Sequence, residues 1–99
     1  MNITITARHF NASAHLQTFA RESVSKLNRF YDGIMDVDVI LAPHESHDEP
    51  QRAELVVSVS GQVLKATEQA ATYESALNKA VESMSRQLLK YKEKRSAKG

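Results

Sequence analysis

With 99 residues and no cysteine, the chain has material for one modest hydrophobic core, and it can build neither a disulfide framework nor a cysteine-ligated zinc site. Apolar residues make up 41% and charged residues 25%, ordinary globular values, and nowhere do the roughly 18 consecutive apolar residues of a membrane span occur. The net charge of +1 conceals segregation: residues 36–54 carry a net −5 and residues 86–99 a net +5, which points to an anionic partner for the basic end.

The opening Met1-Asn-Ile-Thr-Ile-Thr6 has no long apolar core of a secretory signal, so a cytoplasmic location is expected. Residues 2–6 alternate apolar and polar β-branched side chains and predict a half-buried strand. Asn11 or Ser13 can then cap a helix by accepting a backbone N–H. That helix has an apolar stripe of Leu16, Phe19, Ala20, Val24, Leu27 and Tyr31, with Phe30 at its edge and Arg21, Lys26 and Arg29 off it. Asp32-Gly33 is expected to end it, glycine taking the left-handed conformation cheaply. Val37, Val39 and Leu41, alternating with Asp36 and Asp38, predict a second strand that stops near Pro43.

His44 to Gln51 reads as a polar, acidic loop. Ala53, Leu55, Val57 and Val59 alternate with polar residues in a third strand. Ser60-Gly61-Gln62 is a tight-turn signal, and residues 63–68 supply a fourth strand. From Tyr73 the apolar residues Tyr73, Leu77, Ala80, Val81, Met84, Leu88 and Tyr91 recur in steps of three and four, the spacing of one helix face. The other sides carry Lys79, Glu82, Arg86, Lys90, Lys92, Lys94 and Arg95.

The order β-α-β-β-β-α predicts a two-layer α+β domain, a four-stranded sheet with two helices packed side by side on one face. If the first two strands are neighbours they are parallel and joined by a right-handed crossover. Residues 1–99 form one domain, and the sequence allows 90–99 to be a partly disordered basic tail. Side-by-side helices would bring Lys26 and Arg29 together with Arg86 and Lys90 in one basic field.

Several local stretches carry a resemblance. They are Met1-Asn-Ile-Thr4; Leu16-Gln-Thr-Phe19 through Lys26-Leu27 to Phe30-Tyr31-Asp32; and Ala76-Leu77 through Arg86-Gln87-Leu88 to Lys90. In this order and spacing the chain resembles the short ribosome hibernation-promoting factors and the related ribosome-associated inhibitor A, formerly called sigma-54 modulation proteins. It departs from the family in three places. Thr72-Tyr73-Glu74 replaces an Asp-x-Tyr step, and Ser23 and Ser83 stand where lysine is common.

The resemblance implies a short hibernation factor, rather than the long self-dimerising form. Such a protein binds the mRNA and tRNA channel of the small ribosomal subunit, blocks translation under stress or in stationary phase, and favours inactive ribosomes. By analogy the rRNA contacts fall to Lys26, Arg29, Lys79, Arg86, Lys90 and Lys94, with Lys92, Arg95 and Arg21 secondary. Lys and Arg neutralise rRNA phosphates largely without regard to sequence, and rigid cationic helices suit folded RNA, which is read by shape and backbone. The implied partner is the ribosome, with no cofactor, no metal, no small-molecule substrate and no membrane, and the free protein is expected to be monomeric.

Other readings compete. A charged helix face is ordinarily a solvated one. The run His44-Glu45-Ser46-His47-Asp48-Glu49 contains metal-ligand types, but lies between Pro43 and Pro50 with no distant ligand pair, and reads as a solvated loop. No spacing groups a nucleophile, a base and an orienting residue, so an enzyme is not expected. The tyrosines fall at packing phases of the helices, with Tyr91, between Lys90 and Lys92, closest to the cations. The alternatives are a double-stranded-RNA-binding module acting away from the ribosome, and an oligomer whose basic end meets a neighbour's acidic end.

Overall fold

The computed structural model describes the backbone of residues 1–97 and the side chains of residues 1–94. Strand β1 (Asn2–Ala7) leads to helix α1 (Ala14–Ser25), which tightens into a 3-10 turn over Lys26–Arg29. Strands β2 (Asp36–Pro43), β3 (Gln51–Val59) and β4 (Gln62–Ala70) precede helix α2 (Tyr73–Ala97). The strands lie in the order β1-β2-β3-β4. The pair β1–β2 is parallel, with Asn2 opposite Asp36 and Ala7 opposite Leu41, and the other two pairs are antiparallel. The α+β class and the parallel first pair are those expected from the element order.

Strand alternation divides the sheet into two faces. Val37, Val39, Leu41, Ala53, Leu55 and Val57 are fully buried beneath the helices. Their neighbours Asp36, Asp38, Glu54 and Lys65 belong to the opposite, uncovered face. The helices seal the buried face. Leu16, Ala20, Val24 and Leu27 come from the first, and Tyr73, Ala76, Leu77, Ala80, Met84, Leu88 and Tyr91 from the second. Each large aliphatic side chain so buried contributes about 1.5–3 kcal/mol. The mainly alanine positions between them let the helices approach closely; Ala20, Ala76 and Ala80 have no exposed surface at all.

The caps follow the sequence signals. The Ser13 hydroxyl accepts the Leu16 N–H at 3.0 Å, and the Thr72 hydroxyl accepts the Ser75 N–H at 3.1 Å. Gly61 sits in the β3–β4 turn at φ +77°, the conformation that only glycine adopts without cost. His9, between β1 and α1, takes φ 67°, and the next residue, Phe10, stacks on Tyr73 with centroids 4.5 Å apart and planes within 6°. Burial raises the Tyr73 hydroxyl pKa, keeping this ring a neutral packing group.

The end of the first helix differs from expectation. Gly33 is not in the left-handed region, and the α-helix has already given way at Ser25 to the 3-10 turn. The N–H groups of Phe30 and Tyr31 both donate to the Leu27 carbonyl, at 3.0 and 3.3 Å, so the chain winds tightly and leaves the helix before Gly33. Glycine is required at 33 for another reason: a Cβ there would lie 2.6 Å from the Tyr31 ring. That ring in turn meets Tyr91 edge-on, with centroids 5.3 Å apart.

Both free sheet edges are blunted by helix side chains. Arg21 Nη1 donates to the Ile3 carbonyl of β1 at 3.4 Å. On β4, Gln87 Nε2 donates to the Lys65 carbonyl at 2.7 Å and Lys79 Nζ to the Gln69 carbonyl at 3.0 Å.

Two changes test this packing. Met84→Ala is expected to lower stability by about 2–5 kcal/mol in urea unfolding, whereas Leu89→Ala, on the solvent side of the same helix, stays within about 0.5 kcal/mol. Gly33→Ala forces the Tyr31 ring off Tyr91 and is expected to cost about 1–3 kcal/mol by the same assay.

Candidate nucleic-acid interface

A helix advancing 100° per residue carries its cations around the side left free by packing. In α2 the core direction is fixed by Leu77, Ala80, Met84 and Leu88. Lys79, Lys90 and Lys94 then fall on the flank turned toward β4, where Lys90 and Lys94 line a groove of about 170 Å³ with Gln62, Leu64, Gln87 and Tyr91, while Arg86 lies on the outer surface beside Glu82. Lys92 falls on the other flank, toward the end of α1, and lines a groove of about 230 Å³ with Arg29. Arg29 also borders a shallow depression with Arg21 and Lys26.

Across the helix pair Lys92 shares a groove with Arg29. Positions 86 and 90 lie about 120° and 160° around the helix from 92. The cations form a band wrapped around α2 rather than a flat patch.

These cations differ in how they are held. Lys26, Arg29, Lys90, Lys92 and Lys94 make no side-chain hydrogen bond or ion pair with any described residue. Arg86 Nη1 lies 3.2 Å from Glu82 Oε1 in an exposed i,i+4 pair, with both side chains more than half exposed. Such pairs are worth about 0.3–0.5 kcal/mol, so a phosphate can displace this one at little cost. Lys79 is the most committed, shared between the Gln69 carbonyl and Glu49 Oε2 at 3.3 Å. The Arg95 side chain lies outside the described residues. Of the two serines at positions where the family commonly has lysine, Ser23 is buried and Ser83 half-buried.

Tyr91 fixes the direction in which the basic end of α2 points. Its hydroxyl donates to the Ser60 carbonyl in the β3–β4 turn at 2.6 Å, while its ring packs on Tyr31. Periodicity assigns Tyr91 to the core face but gives no sign of the turn that it grips. Gln87 is another residue whose role in seating α2 on the β4 edge was not legible, because its acceptor is a main-chain carbonyl 22 positions away.

Asp36, Asp38 and Glu54 share the uncovered sheet face with Arg52 and Lys65, so that face is only weakly acidic, and the 44–50 loop, with Glu45, Asp48 and Glu49, reaches α2 through the Glu49–Lys79 pair. Among the described residues no group of three His, Cys, Asp or Glu is arranged to hold a metal ion, and no helix is long and apolar enough to cross a membrane.

Known proteins share both this sequence and this architecture. The chain is 28% identical over 90 residues to a ribosome hibernation promotion factor of Deinococcus radiodurans, covering 89% of this chain and 47% of that protein, so it spans about half that relative's length. It is 28% identical over 94 residues to a ribosome hibernation promoting factor of Azotobacter vinelandii, covering 95% of this chain and 85% of the relative. Among solved structures, the N-terminal domain of Thermus thermophilus Protein Y superposes with a TM-score of 0.80 at 23% identity, over 92% of this chain and 99% of that one. A ribosomal subunit interface protein from Coxiella burnetii gives 0.84 at 17% identity, over 93% and 98%. At these identities the structures speak for the fold. The family model described as sigma 54 modulation protein / S30EA ribosomal protein matches residues 3–96, nearly the entire chain, and this protein belongs to that family.

Proposed function

We propose that this protein is a ribosome hibernation factor that acts by occupancy and not by catalysis. It binds the small ribosomal subunit in the mRNA and tRNA channel through its basic helical face, and so keeps ribosomes inactive in the cytoplasm under stress or in stationary phase. The observation that carries the reading is the band of cations around the C-terminal half of α2 and the end of α1, most of them without an ion pair among the described residues, on a chain whose relatives are named hibernation factors.

The physics of the site suits that role. Lys26, Arg29, Lys90, Lys92 and Lys94 are free to neutralise phosphates, and Arg86 exchanges a weak surface pair for one. Lys79 adds positive potential while remaining tied to β4. Mounting the cations on a helix seated on the sheet holds their spacing, which favours folded RNA of matching shape over flexible strands. The uncovered sheet face sets Asp36, Asp38 and Glu54 against Arg52 and Lys65, so the positive potential lies on the helical side and the protein enters an rRNA-lined channel with its helices leading. The free protein is monomeric in this reading.

Sucrose-gradient sedimentation with purified ribosomes tests the proposal. Wild-type protein is expected to travel with the small subunit and with whole ribosomes, and the Arg86→Glu/Lys90→Glu variant to remain at the top. A heavier ribosome-dimer peak would add pairing to silencing. Wild-type protein left at the top in every gradient overturns the reading, and equal affinity for any RNA duplex favours a module acting away from the ribosome. Salt supplies an independent readout. Losing two phosphate contacts through Arg86→Gln/Lys90→Gln is expected to flatten the slope of log affinity against log salt by about 1.5.

A further inference from the structure

The 230 Å³ groove between the end of α1 and the basic end of α2 has a lining unlike the rest of the cationic band. It brings together Asn28, Arg29, Phe30, Tyr31, Asp32 and Lys92. Two cations, two half-buried aromatic rings, an amide and a carboxylate converge on one depression. Arg29, Asp32 and Lys92 have no ion-pair partner among the described residues, so their hydrogen-bonding capacity is available to a ligand in the groove.

We propose that this groove holds one unpaired guanosine of an RNA chain. The inference rests on the RNA-binding reading above and adds base selection to it. Arg29 and Lys92 supply the charge for the flanking phosphates. The rings of Phe30 and Tyr31 supply the apolar wall against which an unstacked base can lie. Asp32 supplies the selectivity. An ionised carboxylate accepts hydrogen bonds and donates none. Guanine alone presents two adjacent donors on its Watson–Crick edge, N1–H and the N2 amino group. Adenine and cytosine present a donor beside an acceptor, and uracil a lone donor between two acceptors. The Asn28 amide can donate to guanine O6. An acidic peptide would satisfy the cations equally well, but its carboxylates offer no donor to Asp32, whereas guanine offers two, which favours a nucleotide.

The groove also has a fixed frame. The backbone at 30 and 31 is pinned by the two bonds to the Leu27 carbonyl, and the Tyr31 ring is held between Gly33 and Tyr91. A site assembled before binding loses less affinity to ordering.

The test uses uridine heptamers with one central guanosine, inosine, adenosine or cytidine, measured by fluorescence anisotropy at fixed low salt. The guanosine heptamer is expected to bind about tenfold more tightly than the adenosine or cytidine ones, with inosine, which lacks the N2 amino group, between them. Asp32→Asn, an exposed and unpartnered position, is expected to keep the fold by circular dichroism and to reduce the preference to about twofold or less. Lys92→Gln should weaken all four heptamers alike. Equal affinity for the four, or a preference that survives Asp32→Asn, overturns the proposal. A guanosine heptamer bound no better than free guanosine monophosphate overturns the assignment to RNA. Protein that sediments with ribosomes yet shows no base preference refutes the groove and leaves the ribosome reading standing; the reverse result refutes the ribosome reading alone.

Discussion

Everything in this small domain depends on one amphipathic helix lying across one face of a sheet. Leu77, Met84 and Leu88 have no exposed surface, and the sheet residues beneath them, Leu55 and Val57, have none either. Without α2 the sheet would present a continuous apolar surface to water, and a helix of 25 residues with a single apolar stripe would have nothing to bury it against. The same helix also blunts the β4 edge through Lys79 and Gln87, so it protects the sheet laterally as well as from above.

That constraint explains how a chain of net charge +1 gathers its cations on a helical surface. One side of α2 is committed to the core, and its cations are left on the flanks and the outer surface. The acids of β2 and β3 are forced by strand alternation onto the face that the helices do not cover. Arg52 and Lys65 share that face and largely offset its acids, so the charge asymmetry of the domain rests on the cations of the helices. A field of this kind orients the molecule before contact, and the short-range work is left to individual side chains.

The junction between the helices is where local and tertiary demands meet. Tyr31 and Tyr91, 60 positions apart in sequence, touch edge to face, Gly33 leaves room for the first, and the Ser60 carbonyl holds the second. This cluster sets the angle at which the basic end of α2 leaves the sheet and shapes the groove between Arg29 and Lys92. Asp32-Gly33 looked like an ordinary helix stop. The glycine answers to a ring rather than to a dihedral angle, and a neighbour's ring is not written in local sequence.

The four strands, the two helices, their order and their buried faces are legible without coordinates, because periodicities of 2 and 3.6 residues record directly which side of each element avoids water. The Gly61 turn is legible for the same reason, and so is a helix cap at Asn11 or Ser13, of which the structure takes Ser13; each acts within three or four residues. The basic character of residues 86–99 was equally legible, since composition needs no fold. Which cations stand together is a property of the packed molecule alone. Lys92 shares a groove with Arg29 while Lys90 and Lys94 face the β4 side, because the angle of each side chain around α2 becomes a position in space only once Gln87, Tyr91 and the apolar stripe have seated the helix.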